Sequence, residues 1–553
     1  MARRIVVIGG VAGGASAAAK ARRVDEHAEI VLFERGRYVS FANCGLPYYI
    51  GETIAERDDL LLQTPESLWR RFRIRVEVRH EVLSIDRAAH RVQVKNLADG
   101  TVFFEPYDKL VLSPGASAIV PDLPGLPASN VFTVKTVPDA DAVKAWIDAT
   151  APKRAVVVGA GFIGLETAEA LHARGLEVTV VEMLPQVLPP FDADVADLVA
   201  RHLESHGVRL VLGDGLREVR GAPAHAVVLQ SGREIPADVV ILSIGVRPEL
   251  SLAKSAGLAI GPNGGIVVNE RQETSDPDIF AAGDAVEVMH LVTGRPARIP
   301  LAGPANKQGR VAGANAAGGS LTFPGAVGTA IVEALGITAA KTGLSEREAA
   351  KAGLRYRVTW THPLDHAGYY PGATTLHLKL IVEEDTGRIL GAQAAGKKGV
   401  DKRIDVLATA LQARMTAADL EDLDLAYAPQ FSSAKDPVVM AGFVATNALR
   451  GDVSTLTFAE LENERKRGES VQLVDVRTTK EHQGGFLPGS RHIPIDELRD
   501  RAGELDPHKE TVVYCRVGFR GYLAARILRG RGFEHVRNLT GGVLSCPASA
   551  LAS

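Results

Sequence analysis

Short apolar runs that end in glycine alternate with helical segments along the first half of the chain. Residues 5–8 form such a run, which leads into a glycine-rich turn and an alanine-rich segment extending to about residue 24. The same order returns from residues 155–158 onward. Apolar runs bounded by turns predict strands, and their alternation with helices is typical of an α/β fold. This part of the chain is therefore predicted to hold two α/β units.

Each glycine-rich turn is followed by a second apolar run that ends in a glutamate. The first turn reads GGVAGG at residues 9–14 and is followed by Glu34; the second reads GAGFIG at residues 159–164 and is followed by Glu182. Glycines let a pyrophosphate approach a helix N-terminus, and the acidic residue can bind a ribose hydroxyl. Val11 stands where the pattern has its second glycine, so the first turn alone is a weak match. Met183 rather than arginine follows Glu182, which favours NADH over NADPH.

Three further segments fit a pair of nucleotide-binding domains. Residues 274–284 (TSDPDIFAAGD) predict a strand that delivers Asp284 to the start of a helix, where its carboxylate can meet a ribityl hydroxyl. Residues 110–116 and 239–248 predict the chain crossings between the two domains.

Composition excludes several classes of protein. The 553 residues are enough for three or four domains, 46% of them are apolar, and the net charge of −3 gives no reason to expect nucleic acid or an anionic membrane as a partner. Three unevenly spaced cysteines cannot build a disulfide framework, which favours a reducing compartment. No segment approaches the roughly 20 apolar residues of a membrane span, and an apolar strand begins near Ile5. We expect a soluble, cytoplasmic protein without a metal.

Cys44 lies in the segment SFANCGLPY at residues 40–48 and has no second cysteine near it in sequence. A flavin enzyme that reduces disulfides usually places two cysteines close together, one to attack and one to resolve. Here the resolving thiol must come from a small molecule or from another domain, or there is no resolving thiol. A buried, inert thiol is the alternative, but Gly45 and Pro47 indicate backbone brought close to a ligand.

The two turns, the Asp284 segment and the two crossings resemble the pyridine nucleotide–disulfide oxidoreductases over about residues 1–445. The resemblance implies an α/β protein with two Rossmann-like domains, one for FAD and one for NAD, and an α+β dimerisation domain. The FAD contacts it implies are Gly9, Ala12, Gly13, Glu34, Arg35, Asn43, Gly115 and Asp284. The NADH contacts it implies are Gly159, Gly161, Phe162, Ile163, Gly164, Glu182 and Gly245, with NADPH as the alternative.

Within that family, SFANC at residues 40–44 resembles the single-cysteine branch: coenzyme A-disulfide reductases, NADH oxidases and peroxidases, and coenzyme A-dependent persulfide reductases. Residues 13–23, 366–372 and 427–435 resemble the coenzyme A-disulfide reductases. The coenzyme A contacts this implies are Ser16, Lys20, Arg23, Ser40, Asn43, Asn306 and Lys435, although the sequence around Asn306 departs from the family's. Tyr369 and Tyr427 would supply phenols near the cysteine across the interface of a homodimer. The basic helix end could instead be solvated, and the tyrosines could be ordinary interface residues.

From about residue 451 the chain resembles a rhodanese, an α/β sulfurtransferase domain. The resemblance rests on residues 471–477, 489–494, 538–542 and the loop CRVGFR at residues 515–520. The loop comprises Cys515, Arg516, Val517, Gly518, Phe519 and Arg520. Because it enters a helix N-terminus and carries two arginines, it favours a thiolate that can hold a persulfide. Asp475 and Arg477 are interpreted as structural and Cys546 as incidental; VLSC at residues 543–546 lacks the usual aromatic residue.

Together these features predict an FAD- and coenzyme A-dependent NADH persulfide or polysulfide reductase that releases hydrosulfide. Cys44 would alternate between a mixed disulfide with coenzyme A and a thiolate, and Cys515 would supply sulfane sulfur. The alternatives are a coenzyme A-disulfide reductase with a sulfurtransferase tail, an NADH oxidase or peroxidase, and a tail that only docks or senses redox state. The predicted division is an FAD domain (residues 1–150 and 250–323), an NAD(P)H domain (151–249), a dimerisation domain (324–446), a linker (447–454) and a rhodanese domain (455–553).

Overall fold

The computed structural model describes residues 2–552 and divides into two compact units. The first comprises Met1–Val187 and Glu204–Gly328, and the second comprises Leu188–Leu203 and Thr329–Ser553. Within residues 2–552 no helix is both long enough and apolar enough to cross a lipid bilayer.

Two parallel five-stranded sheets form the core of the first unit. The first sheet has the spatial order Ile279–Ala281, Lys109–Leu112, Arg4–Ile8, Glu29–Glu34 and Ile74–Val78. The second has the order Arg209–Leu212, Glu177–Glu182, Arg154–Val158, Val239–Leu242 and Val131–Phe132. The apolar residues 5–8 and 155–158 of their central strands are buried, as is usual in a parallel sheet, which is covered on both faces.

Smaller antiparallel sheets and helices complete the first unit. The strands are His80–Asp86, Arg91–Asn96 and Val102–Pro106; Leu216–Gly221, Ala224–Leu229 and Glu234–Pro236; Ala116–Ala118 with Val246–Pro248; and Val288–His290 with Arg295–Ala297. The helices are Ala12–Val24, Leu46–Ile50, Pro65–Phe72, Val137–Thr150, Phe162–Ala173, Ser251–Ser255 and Ala302–Ala316, with short 3₁₀ turns at Asn43–Gly45 and Arg57–Leu60.

The second unit contains an antiparallel sheet followed by a parallel one. The antiparallel sheet has the order Ala330–Ala334, Ile337–Gly343, Ile389–Gly396, Leu376–Glu383 and Tyr356–Thr361. The parallel sheet has the order Ser454–Leu456, Val536–Leu539, Thr511–Tyr514, Gln472–Asp475 and Arg491–His492. The helices are Ala193–Ser205, which continues into the first unit, Glu346–Lys351, Val400–Gln412, Ala417–Glu421, Pro437–Leu449, Phe458–Lys466, Thr479–Gln483, Leu498–Arg501 and Phe519–Gly530. Short 3₁₀ turns lie at Ala502–Glu504, Gly542–Ser545 and Ala548–Ala550.

A fully buried lysine joins the antiparallel sheet to the segment around residue 192. Lys379 is 0% exposed, and its Nζ lies 3.1 Å from Asp192 and 2.8 Å from Asp194, and also contacts Glu346. Burial opposes the charged form of Lys379, but these carboxylates outweigh it and raise the pKa of the ammonium. In residues 2–552 these three carboxylates form the one acidic or histidine cluster close enough to hold a metal ion, and the lysine ammonium occupies it.

The predicted α/β organisation is confirmed, with the element ends shifted by a few residues. One local prediction is wrong: Asp284 does not begin a helix. Gly283 adopts φ +88°, the chain turns after the strand Ile279–Ala281, and the next helix of eight or more residues begins at Ala302. The Gly283 N–H donates to Gln308 Oε1 at 2.7 Å, which directs the backbone away from a helical path.

Candidate active sites

The first glycine-rich turn is built by close backbone contacts. Gly9 has φ +90°, and a Cβ there would lie 2.1 Å from the Ser113 carbonyl oxygen. A Cβ at Gly14 would lie 1.8 Å from the Gly9 carbonyl oxygen. These contacts hold the helix Ala12–Val24 tightly against the strand, so its N-terminal N–H groups face the end of the sheet, where a phosphate can bind.

Val11 is compatible with this turn because its backbone lies at φ −99°, which any residue adopts. Ala12 and Gly13 follow in the first helical turn, and a Cβ on Gly13 would lie 2.4 Å from Ser113 Oγ. Glu34 accepts from Gly10 N at 2.7 Å and from Gly36 N at 2.6 Å, which holds the carboxylate beside the turn. Sequence alone could not show which of the turn's positions the packing requires to be glycine.

The second turn repeats this geometry. Gly159 has φ +106°, a Cβ there would lie 2.3 Å from the Ser243 carbonyl oxygen, and a Cβ on Gly164 would lie 2.0 Å from the Gly159 carbonyl oxygen. Glu182 accepts from Ala160 N at 2.8 Å and from Leu184 N at 2.9 Å. Phe162 and Ile163 open the helix Phe162–Ala173, and Gly245 has φ +108°.

The residues at both turns fit dinucleotides. A Cβ at Gly161 or Gly115 would meet no atom within 4 Å, so both glycines border open space in front of the sheets. Asp284 lies beside the first sheet, where Lys135 Nζ approaches its carboxylate at 4.0 Å. Arg35 pairs with Glu81 at 3.7 Å and with Glu249 at 3.9 Å, so its guanidinium is directed toward carboxylates of the protein.

Cys44 lies in the 3₁₀ turn Asn43–Gly45, and part of the residue is exposed. Its thiol nevertheless packs against protein: loss of water raises the pKa of Cys44, and the carboxyl of Glu166 raises it further, while Lys135 lowers it. Asn43 Nδ2 donates to the Lys135 carbonyl oxygen at 3.3 Å and ties the turn to that segment. Burial raises the pKa of Glu166 itself to about 7. Sequence reasoning missed Glu166, which belongs to the second nucleotide-binding fold.

We predict that Glu166→Gln makes Cys44 easier to ionise. The wild-type carboxyl is neutral below about pH 7 and ionises above it, where its negative charge opposes the Cys44 thiolate. Replacing it with glutamine removes that charge, and the pH profile of Cys44 alkylation should move to lower pH by roughly half a pH unit or more. The profile is measured on reduced protein with iodoacetamide and peptide mass spectrometry. Glu169→Gln, one turn further along the helix, is the control; an equal shift in both variants would contradict the prediction.

A cleft of about 360 Å³ opens where two helices cross. The helices Ala12–Val24 and Ala302–Ala316 approach closely, since a Cβ on Gly309 would lie 2.1 Å from the Gly13 carbonyl oxygen. Ser16 Oγ donates to Asn306 Oδ1 at 2.7 Å across this crossing. The cleft is lined by Ala15, Ser16, Ala19, Arg23, Ser40, Gln63, Leu68, Arg71, Phe72, Asn306 and Arg310.

Four of the residues assigned to coenzyme A line this one cleft: Ser16, Arg23, Ser40 and Asn306. Arg71 and Arg310 add two cations that sequence reasoning missed. Lys20 lies on the same helix but outside the lining, Asn43 lies in the cysteine turn, and Lys435 lies in the second unit. Three arginines around one cleft suit a ligand with several phosphate groups.

In the second unit, Tyr369 and Tyr427 come together at the surface. Their hydroxyls are 2.9 Å apart, and the side chains are 77% and 49% exposed. The hydrogen bond with Tyr369 raises the pKa of Tyr427. Tyr370 and Phe431 are also exposed nearby in sequence, so an aromatic surface is available for a partner.

Cys515 directly follows the strand Thr511–Tyr514 and is 0% exposed. The loop turns at Gly518, with φ +95°, into the helix Phe519–Gly530, and Gly518 N donates to Cys515 Sγ at 3.1 Å. A backbone N–H directed at the sulfur at a helix N-terminus stabilises negative charge there. This geometry can hold a thiolate or a persulfide.

Arg520 is oriented by a carboxylate on a neighbouring helix. It donates two bonds to Glu481, each 2.7 Å long, and this pair lowers the pKa of Glu481 to about 2. Arg520 also interacts with Cys515. Arg516 and Phe519 are exposed on the loop, and Val517 is half-buried between them.

Asp475 and Arg477 form a buried network, in line with their structural interpretation. The Asp475 carboxylate accepts from Arg477, from His482 at 2.8 Å and from the Tyr514 hydroxyl at 3.0 Å. Cys546 is 3% exposed, and burial raises the pKa of its thiol to about 12, so it stays protonated and unreactive.

Three family models match the chain. The pyridine nucleotide-disulphide oxidoreductase model matches residues 3–309, the dimerisation domain of the same family matches residues 331–438, and the rhodanese-like domain matches residues 457–545. Similar curated proteins include the coenzyme A disulfide reductase of Staphylococcus haemolyticus, 37% identical over 80% of this chain and 99% of the relative. The NAD(P)H sulfur oxidoreductase (CoA-dependent) of Pyrococcus abyssi is 38% identical over 79% of this chain and 97% of the relative.

Two solved structures extend the similarity through the tail. The reduced CoADR-RHD of Bacillus anthracis is 46% identical, with a TM-score of 0.97 over 100% of both chains. A NAD-dependent persulfide reductase from A. fulgidus is 41% identical, with a TM-score of 0.92 over 98% of this chain and 100% of the other. The predicted resemblance is confirmed, as is the prediction of an enzyme of a family that uses FAD and NAD(P)H. The chain belongs to the pyridine nucleotide-disulphide oxidoreductase family and carries that family's dimerisation domain and a C-terminal rhodanese-like domain.

Proposed function

We propose that the protein is an FAD- and coenzyme A-dependent NADH persulfide or polysulfide reductase that releases hydrosulfide. The observation that carries the proposal is an exposed lone cysteine beside a cationic cleft. Cys44 is exposed, whereas Cys515 and Cys546 are buried in the second unit. Ser40, four residues before Cys44, lines the arginine-rich cleft, so a ligand held there by its phosphates can present a thiol toward the cysteine turn.

When bound, NADH and FAD would supply two electrons for the reduction of a disulfide at Cys44. The residues at the two glycine-rich turns would hold their pyrophosphates, with Glu34 and Glu182 at the riboses. The reduction breaks the mixed disulfide between Cys44 and coenzyme A, which leaves a Cys44 thiolate and a coenzyme A thiol.

The thiolate then attacks the carbon-bonded sulfur of coenzyme A persulfide. A new bond forms between the Cys44 sulfur and the coenzyme A sulfur, the sulfur–sulfur bond of the persulfide breaks, and hydrosulfide leaves with the electron pair. The mixed disulfide is restored, so each cycle consumes two electrons and releases one hydrosulfide. Only the thiolate attacks, which makes the charges around Cys44 decisive for the rate.

Cys515 would carry sulfane sulfur before its reduction. Gly518 N and Arg520 stabilise the sulfur that it holds, and Glu481 fixes Arg520. The similarity over 98% of the chain to the NAD-dependent persulfide reductase from A. fulgidus supports this role. Coenzyme A persulfide is suited to carry sulfur between the two cysteines. The coenzyme A thiol can take sulfane sulfur from Cys515, and the persulfide so formed can then react at Cys44.

Several finer points belong to the same proposal. Glu182 at the ribose position favours NADH over NADPH. The exposed aromatic surface around Tyr369 and Tyr427, within a dimerisation domain, supports a homodimer in which both phenols serve a cysteine site. The domain boundaries given above and a cytoplasmic location, suggested by the unpaired cysteines, also stay predictions.

The experiment is anaerobic NADH turnover with coenzyme A disulfide, polysulfide and coenzyme A persulfide as alternative substrates. We expect the persulfide to be turned over with the highest kcat/KM and with release of hydrosulfide. Highest activity on coenzyme A disulfide would identify a coenzyme A-disulfide reductase, and faster turnover with oxygen would identify an oxidase.

We predict that Cys515→Ser lowers hydrosulfide release from polysulfide by about 10²-fold or more, because serine cannot hold a persulfide. Reduction of coenzyme A persulfide, which reaches Cys44 directly, should change less than about twofold, since a substitution away from a reaction leaves its barrier nearly intact. Hydrosulfide is measured colorimetrically under nitrogen. Cys546→Ser is the matched control. Unchanged polysulfide reduction in Cys515→Ser would refute the carrier role.

A further inference from the structure

The dimerisation sheet touches the segment that supports the Cys515 loop. Trp360 is the second-last residue of the strand Tyr356–Thr361. Its backbone N–H donates to Thr540 Oγ1 at 2.9 Å in a buried contact. A Cβ on Gly541 would lie 2.6 Å from Trp360 Cβ and 2.7 Å from His362 Nε2. The two segments are therefore so close that only glycine fits at residue 541.

The same short segment contacts the cysteine loop on its other side. Val543 N donates to the Cys515 carbonyl oxygen at 2.9 Å, and a Cβ on Gly542 would lie 2.3 Å from that oxygen. A Cβ on Gly518 would lie 3.2 Å from Gly541 N. Gly518 is the residue whose N–H donates to Cys515 Sγ, so a displacement of residues 540–543 moves both the cysteine and its donor.

The side of the contact formed by Trp360 and His362 is held by further contacts. The Trp360 indole Nε1–H donates to Asp194 Oδ2 at 3.2 Å. Lys379 Nζ lies 5.6 Å from the centroid of the indole ring, and the stacked rings of Trp360 and His362 have their centroids 5.4 Å apart. Asp194 is itself paired with the fully buried Lys379. A shift of the indole would therefore disturb the pairing of a fully buried lysine, which is costly.

His362 is packed as a neutral ring. Within the described residues neither of its ring nitrogens has a hydrogen-bond partner, and the ring of His377 meets it edge-on at 4.9 Å. Burial is the main cause that holds the pKa of His362 well below its usual range, and the neighbouring His377 contributes less. Burial also lowers the pKa of His377 to about 4, with a smaller contribution from Arg201. An imidazole kept without partners against Gly541 indicates that its shape, rather than its hydrogen bonding, is used.

We propose that Trp360 and His362 are positioning residues for sulfur transfer at Cys515. They fix residues 540–543, which in turn fix the Cys515 backbone and the Gly518 N–H at the sulfur. The rhodanese-like domain thereby depends on the dimerisation domain for the geometry of its reactive loop. The inference rests on the proposed function only in assigning sulfur transfer to Cys515.

The test uses the full-length, flavin-loaded protein with inorganic thiosulfate as sulfur donor and cyanide as acceptor. The Cys515 thiolate attacks the outer sulfur, sulfite leaves with the electron pair, and cyanide removes the sulfur as thiocyanate. For His362→Ala we expect kcat to fall about tenfold or more, because a small displacement of the reacting sulfur slows the transfer. The KM for thiosulfate should stay within about twofold of the wild-type value. His362→Gln, with a planar group of similar reach, should restore most of kcat.

His377→Ala is the matched control, since His377 is a half-buried imidazole of the same sheet and is not among the groups that crowd Gly541. Thr540→Val, which removes the acceptor of the Trp360 N–H and keeps the shape, is the second variant and should also lower kcat. NADH-dependent reduction of coenzyme A disulfide should stay unchanged in all of them. Wild-type kcat in both His362→Ala and Thr540→Val, or equal losses in His377→Ala, would overturn the proposal.

A separate measurement distinguishes this proposal from the proposed function. Should the wild-type protein transfer no sulfur from thiosulfate, the carrier role of Cys515 would fail at that step. The rate of Cys515 alkylation by iodoacetamide, followed by peptide mass spectrometry, then tests positioning alone. We expect His362→Ala to change that rate about fivefold or more, a barrier change of about 1 kcal/mol, and an unchanged rate would overturn the inference.

Discussion

Cys44→Ser is expected to lower NADH-dependent reduction of persulfide and of coenzyme A disulfide by about 10³-fold or more, because the hydroxyl cannot form or open a mixed disulfide. Reduction of the bound flavin by NADH should continue, since the residues of the two nucleotide turns are unchanged. Stopped-flow absorbance under nitrogen separates the two steps: a rapid loss of the oxidised flavin spectrum, followed by no turnover.

The same variant tests the coenzyme A assignment directly. Intact-protein mass spectrometry should show a coenzyme A adduct on the wild-type protein that reductant releases, and none on Cys44→Ser. Cys546→Ser is the control, because that thiol is buried and protonated. Residual persulfide reduction above one tenth of the wild-type rate in Cys44→Ser would refute the mechanism. An adduct-free wild-type protein with strong oxygen consumption would favour the oxidase alternative.

Lys379→Met is expected to destabilise the second unit by about 3–5 kcal/mol, the cost of leaving buried charges without their partner. Lys379 is fully buried, and its ammonium is the shared partner of Asp192, Asp194 and Glu346. Burial already raises the pKa of Glu346, and loss of the lysine would raise it further. Because the folded variant then binds protons more tightly than the unfolded chain, its stability should recover as the pH falls and decline as the pH rises.

Hydrogen exchange along the strand Leu376–Glu383 measures this loss locally, which suits a chain of several domains better than a single melting temperature. Lys351→Met, at an exposed position, is the control and should stay within about 0.5 kcal/mol of wild type. Glu346→Gln combined with Lys379→Met should recover part of the loss. Equal protection in Lys379→Met and wild type would show that the cluster contributes nothing.

The nucleotide turns could be predicted because their signal is local. Gly14 and Gly164 pack against the carbonyl oxygens of Gly9 and Gly159 within the same turns, so the spacing of the glycines carries the information there. The loop at Cys515 was predictable for the same reason. Asp284 was misplaced because a strand followed by Gly-Asp also occurs at helix starts, and the sequence does not reveal the turn at Gly283.

The remaining site residues depend on contacts between distant segments. Arg71, on the helix Pro65–Phe72, and Arg310, on the helix Ala302–Ala316, line one cleft although they lie far apart in sequence. Glu166 acts on Cys44 from another nucleotide-binding fold, more than a hundred residues away in sequence. The contact between His362 and Gly541 likewise joins two domains, and no periodicity or motif in either segment predicts it.

The three cysteines differ in accessibility as well as in chemistry, and this makes the native protein simple to label. Cys44 is exposed, Cys515 is 0% exposed, and Cys546 is 3% exposed with a protonated thiol. A bulky maleimide is therefore expected to react first with Cys44 on each folded chain. A fluorophore or spin label attached to Cys44 would report on the occupancy of the neighbouring cleft. A small thiol already bound to Cys44 would block labelling, so the unlabelled fraction would count the chains that carry such a thiol.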